Sequence, residues 1–120
     1  MRLAIIAVLA SAALTPSALA AEVSVATCDA DLAAVGASFD ETQARLEKAA
    51  SADQAEKCAA IRRHVEVMAN GVNVFQRCLP EGHDKGENIA QLVGSIADFL
   101  DISDSLGCPA FDPPKIEGME

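Results

Sequence analysis

The sequence predicts an all-α protein, a small antiparallel three-helix bundle stapled by two disulfides. Three observations carry that prediction. Apolar residues recur at alternating steps of three and four through three long stretches, the period of a helix and not of a strand. Clusters of turn-forming residues separate the stretches. Four cysteines, Cys28, Cys58, Cys78 and Cys108, stand at or near the ends of those stretches, where bridges between antiparallel helices would sit.

Residues 1–20, MRLAIIAVLASAALTPSALA, read as a cleaved secretory signal. Arg2 supplies the positive start, positions 3–14 the apolar run, and Ala18-Leu19-Ala20 the small-residue cleavage site. The apolar run is shorter than the roughly 20 residues that span a bilayer, so no membrane anchoring is expected. Residue 21 is Ala and not Cys, which removes a lipoprotein signal. The short signal is of bacterial type and points to the periplasm, with the medium as the alternative address. The expected organisation is a signal at 1–20, a helical disulfide domain at 21–108 and a Pro-rich C-terminal tail at 109–120.

The first helix carries one seam, Cys28, Leu32, Val35, Phe39, Thr42, Leu46 and Ala49. Asp29 and Asp31 would occupy its first turn, where the helix dipole favours negative charge. Ser51-Ala52-Asp53-Gln54 reads as a capping box that opens the second helix. That helix runs to Leu79-Pro80, where proline ends it. It carries two seams about 100° apart, one through Cys58, Ile61, Val65, Met68, Val72, Phe75 and Leu79, the other through Ala60, His64, Val67, Gly71, Val74 and Cys78. A helix apolar on two adjacent stripes has two neighbours, so it is the middle member of the bundle.

LPEGHDKGE, residues 79–87, is a turn, with Asp84-x-x-Glu87 as a second capping-box candidate. The third helix turns Ile89, Leu92, Val93, Ile96, Phe99, Leu100 and Leu106 toward the core, and Gly107 terminates it. The tail PAFDPPKIEGME runs extended, and Phe111 and Ile116 are the residues that would dock it. Gly36, Gly71 and Gly94 fall mid-helix, where each costs about 1 kcal/mol against Ala, and close backbone packing is the expected compensation.

The pairing of the cysteines follows from these seams. Cys58 and Cys78 share a helix and stand roughly 30 Å apart at about 1.5 Å per residue. A disulfide needs Cα atoms within about 7 Å, so each must reach another helix. Folding the first two helices antiparallel sets Cys28 beside Cys78, Val35 beside Gly71 and Thr42 beside His64. Folding the third helix back brings Cys108 to Cys58. The expected bridges are Cys28–Cys78 and Cys58–Cys108, which also fits an exported small domain.

Composition removes several function classes. The net charge is −9, and −10 once Arg2 leaves with the signal, which argues against nucleic acid and anionic membranes as partners. With four Phe and no Trp or Tyr, the chain offers no stacking platform for sugars or bases. No C-x-x-C, zinc-ribbon spacing, G-x-S-x-G, H-E-x-x-H or phosphate-cradling loop occurs. No catalytic, cofactor-binding or metal-ligating residue is assigned, and no enzyme is expected. His64 reads as a hydrogen-bonded core histidine, and Arg62 and Arg63 as solvated beside Glu66. Glu81, His83 and Asp84 are the one place where a divalent cation could gather.

The signal, EKCAAIRRHVEVM and GSIADFLD before the last cysteine together resemble uncharacterised secreted four-cysteine helical proteins of alphaproteobacteria. That resemblance implies location and fold and carries no activity. GVNVFQRCLP, followed by an amphipathic helix ending in a cysteine, is faintly similar to exported immunity proteins of the Tai type, which bind and block cell-wall amidases. The resulting expectation is an exported, non-catalytic helical protein that binds another protein in the periplasm, in the manner of an inhibitor or immunity protein. The alternative is a carrier of a small ligand or metal, using the 81–84 turn or a core groove.

Overall fold

The computed structural model describes residues 16–118, with side chains from residue 27 onward. The first 15 residues of the expected signal lie outside the described residues. Three helices account for the fold, α1 (Pro16–Ala49), α2 (Gln54–Cys78) and α3 (His83–Ser105). They form an antiparallel three-helix bundle whose bridges are Cys28–Cys78 and Cys58–Cys108, with Cα atoms 5.3 and 5.5 Å apart. Among the described residues no cysteine is free, and no helix is long and apolar enough to cross a membrane. Such intrachain bridges persist in an oxidising compartment.

The helix starts depart from expectation. No Gly or Pro interrupts the chain between Pro16 and Cys28, and α1 begins at Pro16, so Asp29 and Asp31 lie inside the helix and not in its first turn. The cap of α2 is Asp53, whose Oδ1 accepts from the Glu56 amide at 2.9 Å, two positions after the expected Ser51. The Ser51 hydroxyl instead donates to Lys48 O at the end of α1. Asp84 is not a cap either. It lies inside the first turn of α3, and Gly82, at φ 151°, precedes the helix with no side-chain cap.

The end of α3 follows the expected design. Gly107, at φ 72°, takes the left-handed conformation that other residues avoid. Its amide bonds to Asp104 O and the Cys108 amide to Ser103 O, each at 3.0 Å, the paired bonds of a Schellman motif.

Helix α2 is the middle of the bundle. Its residues Ile61, Val65, Met68, Ala69 and Val72 form the core with Ile96 of α3, and Val65 and Val72 are wholly buried. On the other flank α1 buries Val35, Thr42 and Ala49, one residue every two turns. A Cβ built on Gly71 would lie 2.9 Å from Phe39 Cζ and 3.4 Å from Val35 Cγ1, so glycine lets α1 approach α2 there. Gly36 and Gly94 do not share that role, for nothing lies within 4 Å of a Cβ at either. Both outer helices pack on α2, and among the described residues no Cα of α1 comes within 8 Å of one of α3.

The tail docks. Phe111 and Ile116 pack against the core from beyond α3. The Asn73 side chain holds the backbone twice, donating to Lys115 O at 2.9 Å and accepting from the Glu117 amide at 2.8 Å. The Arg62 guanidinium lies 5.4 Å from the Phe111 ring centre, a cation–π contact in addition to its pairing with Glu66. Arg62 is therefore solvated but also part of the tail's seat.

Candidate functional site

Three places hold the residues singled out from the sequence, and they differ in kind. The first is the Thr42–His64 contact between α1 and α2. Thr42 Oγ1 lies 2.6 Å from His64 Nδ1 and 3.3 Å from Phe39 O. Donation from Nδ1–H to Oγ1, and from Oγ1–H to the Phe39 carbonyl, satisfies all three atoms. Desolvation lowers the His64 pKa, so the ring is neutral near pH 7. The Phe99 ring stands edge-on at 4.9 Å. A hydroxyl beside an imidazole is also the geometry of a nucleophile and its base. Here Thr42 is only 3% exposed, and among the described residues no carboxylate orients the ring through a hydrogen bond, so the pair behaves as a satisfied polar contact inside the core.

The second is the 81–84 turn. Glu81 turns away to Lys85, 2.6 Å from its Nζ, and Glu87 takes its place beside His83 and Asp84. The ligand atoms of His83, Asp84 and Glu87 lie within 4.8 Å of one another. Their side chains are 80%, 99% and 63% exposed, with no buried shell to hold them. They also sit at the N-terminal end of α3, His83 and Asp84 on its first turn, where the helix dipole opposes a cation. These residues are a solvated helix start with acidic neighbours.

The third is a groove that the seam-by-seam reading missed. The backbones of α1 and α3 stand apart, and on the side away from the tail a groove runs between them, over Ile61, His64 and Met68 of α2, which their side chains keep largely buried. Leu46 and Phe99 face each other across this gap over Ile61, and Ile102 and Leu106 extend the α3 wall. The opening is almost wholly apolar and encloses about 390 Å³. It continues past Leu46 and Phe99 into a second hollow of about 520 Å³, floored by His64 and Met68 and edged by Gln43 and Glu47. Ile102 is 45% exposed and Leu106 37%, so Leu106 does not join the core as the periodicity implied. Among the described residues no buried side-chain nitrogen or oxygen lacks a partner. His64 Nε2, which bonds no protein group, is thus the ring atom open to the groove.

A signal for this face was present in the sequence. Ser95, Phe99, Ile102 and Leu106 recur at steps of four, three and four, a stripe rotated about 100° from Ile89, Ile96 and Leu100. Two apolar stripes on α3 have the same meaning as the two on α2, a second neighbour. Comparison with protein-family models, curated proteins and solved structures finds no match to this chain.

Proposed function

We propose that the chain is exported to the periplasm through a signal cleaved before Ala21 and acts there, without catalysis, by binding another protein. An inhibitor- or immunity-type role falls within this reading. The observation that carries it is the uncovered apolar groove, with Ile102 and Leu106 left in water on a domain otherwise rich in surface charge. The two bridges support export, because they fit an oxidising compartment. A second reading, a carrier for a small ligand in a core groove, is favoured by the hollow above Met68 and the ring edge of His64 at its floor.

Pull-down from periplasmic extract at low and high salt, with native mass spectrometry of the purified protein, separates the two. A specific protein partner is the expected result. A stoichiometric small molecule with no protein partner would replace the first reading by the second. Intact mass of the exported protein checks the address, and a chain that keeps residues 1–20 would refute it.

A further inference from the structure

We infer that the groove between α1 and α3 seats a cationic amphipathic helix of the partner protein, about three turns long. The inference rests on the protein-binding reading above and specifies its surface. Shape comes first. The α1 wall runs over positions 39–50 and the α3 wall over positions 95–106, each about 16 Å at about 1.5 Å per residue. A valley between two helices, floored by a third, accepts a helix whose apolar residues recur at steps of three and four. Leu46, Phe99, Ile102 and Leu106 offer that helix its apolar contacts.

Charge then selects among occupants. Glu47 stands on the α1 edge, and Asp40 lies two turns before it on the same side of the helix, exposed. Asp98 is exposed one turn before Ile102 on α3. Over residues 86–114, which include most of α3, the chain carries five carboxylates and no Lys or Arg. Among the described residues that line the groove, Lys57 is the one Lys or Arg, and it lies at the end near the α1–α2 turn. A second copy of this chain would bring its own acidic walls against these, whereas a helix with Lys or Arg flanking its apolar stripe meets both rims favourably.

The test uses the full mature protein and synthetic helical peptides of about 12 residues, three turns long, with one leucine stripe. One peptide carries Lys at its polar positions, a twin carries Glu, and a third is the Lys peptide with a central proline. Calorimetric titration at low and high salt reads the affinities. The Lys peptide binds, and the Glu and proline forms bind at least about tenfold more weakly. Ile102→Glu weakens the Lys peptide about tenfold or more, and Ile102→Ser serves if that variant fails to fold. Glu47→Lys weakens it, while Asp29→Lys, the same charge change at the far end of the bundle, leaves it unchanged.

Equal losses from Glu47→Lys and Asp29→Lys would mean bulk charge attraction and would overturn the inference. So would equal binding of the proline form. Sedimentation showing a dimer abolished by Ile102→Glu would assign the groove to a second copy instead. A partner from the pull-down that still binds Ile102→Glu sinks the groove and leaves the protein-binding reading standing. A pull-down that yields only a small molecule sinks that reading itself.

Discussion

The two sides of α3 were given the same problem and solved it differently. On one side the chain's own tail lies over the helix, and Phe111 and Ile116 are packed while Asn73 clasps the backbone on either side of Ile116. On the other side Ile102 and Leu106 face an open valley with nothing from residues 27–118 laid across it. Full burial of such a side chain is worth about 1.5–3 kcal/mol, so the open side forgoes stabilisation that the tail side collects. The difference lies in the chain's path. Gly107 turns the backbone sharply at the end of α3, and Gln54 binds Leu106 O, which directs the tail away from α1. The chain covers one face of α3 itself and leaves the other open.

Removing bridges breaks the comparison most severely. Both cross-links join residues separated by 50 positions, so the chain-entropy model assigns each roughly 4 kcal/mol. Thermal melts of Cys28→Ala/Cys78→Ala and Cys58→Ala/Cys108→Ala should show similar losses. Only the second pair should also release the tail, read as lost hydrogen-exchange protection at positions 111–117, because Cys108 anchors the point from which it departs.

Met68→Ala empties the floor under the open groove and should cost about 2–5 kcal/mol in chemical denaturation. A variant as stable as wild type would refute α2 as the buried middle helix. Phe111→Ala and Ile102→Ser then sharpen the contrast. The half-buried Phe111 should cost about 2 kcal/mol, short of the about 3–5 of a fully buried ring. If both variants lost equally, the open groove would be as closed in solution as the tail side.

His64 gives a pH signature. Its pKa is lowered by burial, so below about pH 6.5 the unfolded chain binds a proton that the folded one resists. Its contribution is full above that pH and is lost as pH falls through the lower folded pKa. The Tm should therefore decline from pH 7 to pH 5, and His64→Gln should flatten the decline. Glu56 acts in a lower window, since its hydrogen bond to Arg45 holds its carboxyl below the usual range. The smallest effect belongs to Ile102→Ser, which should stay within about 0.5 kcal/mol of wild type because the residue already meets water.

Much of the scaffold was legible in the sequence, and the reason is the rigid period of the helix. Once Val35 and Gly71, Thr42 and His64 fall on facing seams, the register of α1 on α2 follows, and with it the partners of Cys28 and Cys78. The caps were less legible. Ser51 and Asp53 both precede α2, and which one caps depends on where the α1 chain lets go, a tertiary matter that local spacing does not encode. The groove was legible only in part. Periodicity tells which way Phe99 and Ile102 point, but whether α1 closes over them depends on the gap between two helices whose described Cα atoms come nowhere within 8 Å of each other. The apolar anchors of the tail, Phe111 and Ile116, were legible, but its polar clasp was not, because Asn73 on α2 gives no hint that it will bind backbone 42 residues away.

The spacing of the cross-links has a consequence of its own. Chain segments 28–58, 58–78 and 78–108 all run between the same two cystines, so the covalent skeleton is a theta-shaped graph, three edges joining two nodes. A protease that cuts once anywhere along 28–108 cannot divide it. Two cuts placed on different edges still leave a single molecule, because the third edge holds the nodes together. Only reductant, two cuts within one edge, or a cut on every one of the three edges divides it. A nicked chain would therefore keep its mass apart from the added water of hydrolysis and fall into pieces on a gel only after its cystines are reduced.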